Sequence, residues 1–184
     1  MGRWAPPEVV IEAIGGGEAP ADKLIRTIWP ACFRLAASVL GDLSLAQDAA
    51  QESCVIVHQK ITNLRSFEAF DTWLYRIVIR EAARVRRRNR TQVADLYTRG
   101  FESSDTASMD VWAALKRLSP ALREATVLFY FDDLKSEEIA VILNIPHATV
   151  RTRLARAREC LRELLGDYSD TAPVARREVN QDVS

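Results

Sequence analysis

From Asp22 to about Arg90, and again from Asp110 to about Gly166, apolar residues recur at helical spacing. No stretch of useful length alternates with the period of a strand. A chain patterned this way buries one stripe per helix, which restricts it to an all-α fold. With 184 residues there is room for one compact domain or two small ones. Residues 91–110, with Gly100 and a serine cluster, lack the pattern and read as a linker. The expected architecture is two small helical domains joined by a flexible linker. Residues 1–21, with Pro6, Pro7, Gly15 to Gly17 and Pro20, read as a loose leader, and residues 167–184 as a polar tail. Within the first domain, Pro30 and Gly41-Asp42 punctuate the pattern, and Ile61 to Ser66 reads as a loop.

Lys plus Arg and Asp plus Glu are 25 each, so the net charge is zero. The distribution is uneven. Residues 76–90 carry seven arginines against Glu81, and residues 147–162 carry five against Glu159, whereas the segment between them is acidic. Basic clusters on helices are the electrostatic footprint of a polyanion, and arginine pairs bidentately with phosphate. Cys32, Cys54 and Cys160 are scattered and odd in number, which gives no disulfide framework and favours a reducing, cytoplasmic setting. No window resembles a membrane span or a secretory signal, so no membrane insertion is expected. Cys54 and His58 are four residues apart on one helix. With no further Cys or His close in sequence, packing outweighs a metal site there, and no cofactor is expected.

Ser119-Pro120 starts a helix that ends near Phe131. Ser136 is placed to cap the next helix, with Glu137 and Glu138 in its first turn and Asn144 at its end. Ile145-Pro146 then leads into a third helix near His147, which gives the layout of a helix-turn-helix. On that third helix Val150, Leu154, Ala157, Leu161, Leu164 and Leu165 form a buried stripe. The opposite side carries His147, Ala148, Arg151, Thr152 and Arg156, small and basic residues suited to a major groove. In the first domain, Leu74, Tyr75, Val78, Ala82 and Val85 form the core arc of a helix from Phe70 to about Arg88. Arg76, Arg80, Arg84 and Arg87 lie opposite, with Trp73 and Ile77 among them, an arrangement suited to stacking on unpaired bases. The preceding helix, from Ser44 to about Lys60, has an inner face of Leu45, Ala46, Ala49, Ala50, Ser53, Ile56 and Val57. Its second face holds Asp48, Gln51, Glu52, Val55 and Gln59, acidic with one exposed valine, which suits a basic partner helix.

Three stretches carry a resemblance to a known family: AQDAAQES (46–53), FDTWLYRIVIREAARVRRR (70–88) and the segment 118–164 with its TVRTRLARAR run. Together they resemble the extracytoplasmic-function (ECF) group of the sigma-70 family, the minimal sigma factors of bacterial RNA polymerase. The resemblance implies a region-2-like helical bundle over residues 22–90 and a region-4-like helix-turn-helix domain over 111–166. It implies that Asp48, Gln51, Glu52, Val55 and Gln59 bind core polymerase. It assigns the minus-10 element to Asn63, Arg65, Ser66, Phe67, Trp73, Arg76, Arg80, Arg84 and Arg87, and the minus-35 element to His147, Ala148, Arg151, Thr152 and Arg156. It also implies that the acidic linker threads toward the polymerase cleft and that an anti-sigma factor would silence the protein. The chain departs from the family's usual residues at Arg80, where Asn is common, and at Cys54, His58, His147 and Ala148. Its expected function is therefore to bind core polymerase, direct it to promoters and promote initiation, with no catalytic residues of its own. The rival readings are a stand-alone helix-turn-helix regulator and, more remotely, a metal enzyme or redox sensor using Cys32, Cys54 and His58.

Overall fold

The computed structural model describes residues 4–90 and 106–165, and every regular element among them is helical. The helices are α1 (Pro7–Ile14), α2 (Glu18–Leu40), α3 (Leu43–Lys60), α4 (Phe70–Arg90), α5 (Thr106–Arg117), α6 (Pro120–Tyr130), α7 (Ser136–Leu143) and α8 (His147–Leu165). Short 3₁₀ turns at Ile61–Asn63 and Phe67–Ala69 join α3 to α4. Most of the segment read as a linker, and the polar tail, fall outside the described residues.

In the first unit α2, α3 and α4 pack together. Gly41 ends α2 in the left-handed region at φ 71°, where glycine meets no Cβ penalty, and Asp42 caps α3 by accepting from the Leu45 N–H at 2.9 Å. The buried face of α3 is nearly all small: Ala46, Ala49, Ala50, Ser53 and Val57. Small side chains let the helix axes approach closely. The Ser53 hydroxyl donates to the Ala49 carbonyl at 2.7 Å, so its burial leaves it paired. Leu45 and Ile56, expected on the inner face, are half-buried, and Cys54 is buried with it.

Three details differ from the sequence expectations. Residues 1–21 are not a loose leader throughout: Pro7–Ile14 is helical, and Trp4, Ala5, Val9, Val10 and Ala13 are buried. The apolar residues of that segment outweigh its Gly and Pro punctuation: Pro6 and Pro7 open α1, Gly15 to Gly17 follow it, and Pro20 falls in the first turn of α2. Pro30 does not end α2. It deprives the helix of one donor on an exposed side, while Leu24, Ile28, Cys32 and Leu35 are buried before and after it. α5 begins at Thr106, inside the segment read as linker, because Trp112, Ala114, Leu115 and Leu118 supply an apolar face.

The second unit is α5 to α8. Asn144 ends α7 in the left-handed region at φ 53°, and the Ile145 N–H returns to the Ala140 carbonyl at 3.1 Å. The expected Ser136 cap is displaced by one residue. Lys135 is the N-cap, and the Glu138 carboxylate accepts its N–H at 2.8 Å. The Ser136 hydroxyl instead meets His147 Nε2 at 2.8 Å across the turn. Ser119 stands before Pro120 at the start of α6 without a side-chain capping bond.

The two units share a core. Ile77 and Ile79 of α4 belong to the same buried cluster as Ile139 and Ile142 of α7. Arg123 of α6 is the polar joint. Its guanidinium donates to Val39 O and Leu40 O at the end of α2 (3.2 and 3.1 Å), and to Lys116 O and Leu118 O at the end of α5. Its Nε donates to Leu115 O at 2.8 Å. Helix C-termini leave carbonyls without intrahelical partners, and one fork here satisfies two such ends at once. Arg86 of α4 pairs with Glu124 of α6 at 3.3 Å, with both side chains largely buried.

Candidate nucleic-acid and protein interfaces

The third helix of the helix-turn-helix, α8, is oriented by Val150, Leu154 and Ala157, which are buried, while Leu161, Leu164 and Leu165 are half-buried. This leaves His147, Ala148, Arg151, Thr152 and Arg156 exposed together, as the helical spacing requires. Ala148, Arg151, Thr152, Ala155 and Arg158 line an open groove of ≈ 560 Å³ with Phe129 and Ser136. Neither Arg151 nor Arg156 has an acidic partner among the described residues. His147 is held at the helix start by Ser136 and lies 3.3 Å from Glu137 Oε1. It braces the turn as well as facing outward.

The α4 face is built differently. Arg80, Arg84 and Arg87 are exposed, and Arg84 pairs with Glu81 at 3.3 Å. Asn63, Arg65, Ser66 and Phe67 are exposed on the connection before α4. Trp73 is half-buried, with its ring centroid 6.1 Å from that of Phe70, so it packs on the core and keeps only part of a face for stacking. Two residues of the expected stripe are covered. Ile77 is buried, and Arg76 donates from Nε and Nη2 to Val141 O at 3.1 and 2.8 Å. The cover is α7, which packs against α4. Helical periodicity gives the face a residue occupies and carries no information about a distant helix laid over it.

On α3, Gln51, Val55 and Gln59 are exposed, and Asp48 and Glu52 are partly so. Val55 is 51% exposed, an apolar centre within a polar face. Asp48 Oδ2 lies 4.0 Å from Arg88, which joins the acidic face to the edge of the basic one. Cys54 and His58 do not converge: Cys54 is buried against Cys32 of α2, and His58 is exposed. The Cys32 hydrogen bond lowers the Cys54 thiol below its usual value, and the same contact together with burial pushes Cys32 up. No group of three or more His, Cys, Asp or Glu side chains among the described residues is arranged to hold a metal ion.

Sequence reasoning missed Arg86, Arg123 and Glu124. Burial raises the Glu124 carboxyl above its usual value against the opposing pull of Arg86, Arg153 and Arg123. Burial and the Arg86 charge lower Arg123. A basic–acidic pair at Arg123-Glu124 reads in sequence as ordinary helix surface, and no local signal marks it.

Comparison with known proteins agrees with this layout. Residues 24–92 match the family described as Sigma-70 region 2, and residues 108–161 match Sigma-70, region 4. The RNA polymerase sigma-H factor of Pseudomonas aeruginosa is 31% identical over 177 residues, covering 85% of this chain and 92% of its own. The ECF RNA polymerase sigma factor SigW of Bacillus subtilis is 31% identical over 160 residues, covering 76% and 83%. Among solved structures, the sigma factor RpoE in complex with the anti-sigma factor NepR from Bartonella quintana aligns with a TM-score of 0.63 at 25% identity, over 78% of this chain and 95% of that one. CnrH in complex with the cytosolic domain of CnrY aligns with a TM-score of 0.66 at 20% identity, over 90% and 98%, which shows the shared fold.

Proposed function

The chain belongs to the ECF sigma factors of the sigma-70 family, and from that premise we propose how its surfaces divide the work. It is a sigma factor: it associates with core RNA polymerase, directs it to promoters and promotes initiation, and the polymerase carries out the chemistry. In our reading residues 24–92 form the region that binds polymerase and the minus-10 element. Residues 108–161 form the region that reads the minus-35 element, and the segment between them follows the polymerase cleft. Asp48, Gln51, Glu52, Val55 and Gln59 dock a basic helix pair of the polymerase, with Val55 as the apolar anchor. Asn63, Arg65, Ser66, Phe67, Trp73, Arg76, Arg80, Arg84 and Arg87 bind the opened minus-10 strand through stacking and phosphate contacts. His147, Ala148, Arg151, Thr152 and Arg156 enter the major groove at minus-35.

The observation that carries this reading is the exposed α8 face. It holds two arginines without acidic partners, small residues between them, and a core stripe on the opposite side that fixes its direction. A silencing partner of the anti-sigma kind is part of the proposal, since the similar sigma factor RpoE was solved in complex with the anti-sigma factor NepR. A cytoplasmic location follows from the work proposed, and no described helix is long and apolar enough to cross a membrane.

Run-off transcription with purified core polymerase on DNA carrying the protein's own upstream region tests the proposal, with co-elution read in the same samples. A transcript that requires the protein, is lost in Arg151→Ala and is lost together with co-elution in Asp48→Ala supports both interfaces. No transcript and no co-elution would sink it.

A further inference from the structure

The connection that carries Asn63, Arg65, Ser66 and Phe67 is weakly held from within. Its two 3₁₀ turns are closed by main-chain bonds, from the Leu64 N–H to Ile61 O and from the Phe70 N–H to Phe67 O, and neither turn has a side-chain cap. Asn63 and residues 65–67 lie exposed between Ile61 and Phe70, which are buried. A segment of this kind opens readily unless another element packs on it.

α1 supplies that packing. The first turn rests on α3 and the second on α4, their neighbours in the chain, and α1 packs on both. At one end Ala5, Pro7 and Val10 line a crevice of ≈ 150 Å³ with Phe67 and Phe70. At the other end Gly16 follows α1 with φ 91°, and a Cβ there would stand 3.8 Å from the Thr62 methyl. The helix is itself anchored: Val10 and Ala13 are buried, and the Trp4 ring ahead of it meets Tyr75 of α4 with centroids 4.7 Å apart. α1 thus spans the connection and holds it at both ends, while Arg65 and Ser66 face outward. It lies ahead of residues 24–92, the segment that matches Sigma-70 region 2. We propose that α1 is a positioning element for minus-10 recognition, with Val10 as its central residue, fixing the connection in the shape that presents Phe67 and its neighbours to DNA. This rests on the assignment of that connection to the minus-10 element. Val10 is buried and acts through the residues it supports, as groups that bind must be held by packing behind them.

Amide exchange in the full chain reads the packing without DNA. Leu64 and Phe70, whose N–H groups close the two turns, should exchange about tenfold faster in Val10→Ala than in wild type. Val39→Ala, which removes the same methyl groups from the core of α2, should leave both at the wild-type rate. Run-off transcription by the reconstituted holoenzyme, on templates with single-base changes in the minus-10 or the minus-35 element, reads the function. Val10→Ala should narrow minus-10 discrimination by about tenfold and leave minus-35 discrimination unchanged. Phe67→Ala should narrow minus-10 discrimination too, and Val10→Ile should keep it. Circular dichroism checks folding; should Val10→Ala unfold, Gly16→Ala takes its place, since it strains the backbone at φ 91° and removes no core side chain. Wild-type exchange at Leu64 and Phe70 would overturn the proposal, as would the same effects in Val39→Ala. Full minus-10 discrimination in Val10→Ala but not in Phe67→Ala would overturn it and leave the minus-10 assignment standing. Full discrimination in both would remove that assignment and the proposal with it.

Discussion

Arg76 of α4 places its guanidinium fork on the main-chain carbonyl of Val141 in α7, with Nε at 3.1 Å and Nη2 at 2.8 Å. The residue assigned to minus-10 DNA is thus engaged by the helix-turn-helix unit. The side-on fork of Arg76, Nε with Nη2, is therefore not open to a phosphate while α7 remains in place, which leaves only the end-on fork through Nη1.

The first prediction is that the units separate on productive binding. A donor and acceptor placed at exposed Arg26 on α2 and Glu159 on α8 should transfer energy efficiently in the free protein. Adding core polymerase and promoter DNA should reduce the transfer. Unchanged transfer in a transcribing complex would contradict separation of the units and the release of Arg76 from Val141.

Arg123 joins the ends of α2 and α5 through five carbonyl contacts. Replacing it with alanine leaves partly buried carbonyls without donors. Arg123→Ala should lower unfolding stability by about 3 kcal/mol in urea denaturation. Arg117→Ala, at an exposed position of α5, should change it by less than about 0.5 kcal/mol.

Glu124 gives a pH signature. Burial raises its carboxyl above the ordinary 4.5, outweighing the charges of Arg86, Arg153 and Arg123. Between 4.5 and that raised value the folded chain holds the proton and the unfolded chain does not. The contribution of Glu124 to stability therefore falls as pH rises through this window. Glu124→Gln, which still accepts from Arg86, should flatten the slope of stability against pH there, read by denaturation at stepped pH. A slope identical to wild type would contradict the assignment.

On α8, Arg151 lies nearer the helix start and Arg156 more than a turn beyond. Arg151→Ala should cost promoter binding about 1–3 kcal/mol and relax preference at one minus-35 position. Arg156→Ala should weaken binding evenly across sequences and reduce the slope of log affinity against log salt by about one. Filter binding of the holoenzyme at several salt concentrations separates the two.

The helix-turn-helix was legible because its signals are local. Asn144, Ile145-Pro146 and the Val150, Leu154, Ala157 stripe each act within a few residues, and the exposed face of α8 follows from helical geometry. The α3 polar face and the core arc of α4 were legible for the same reason. Trp4 was not, since its burial depends on Tyr75, far away in the chain, and the Gly and Pro around α1 resemble punctuation of a free segment.

The sequence by itself determined α2 to α4 and α6 to α8, most of the core side of each, and the two arginine faces, because periodicity and capping act over one or two turns, whereas α1 and the start of α5 were not legible as helix. Only the tertiary structure decided what lies over those faces: α7 on Arg76 and Ile77, Arg123 at two helix ends, Glu124 buried beside Arg86. These contacts join residues distant in the chain. A local pattern records that a surface is apolar or charged but not which other surface covers it.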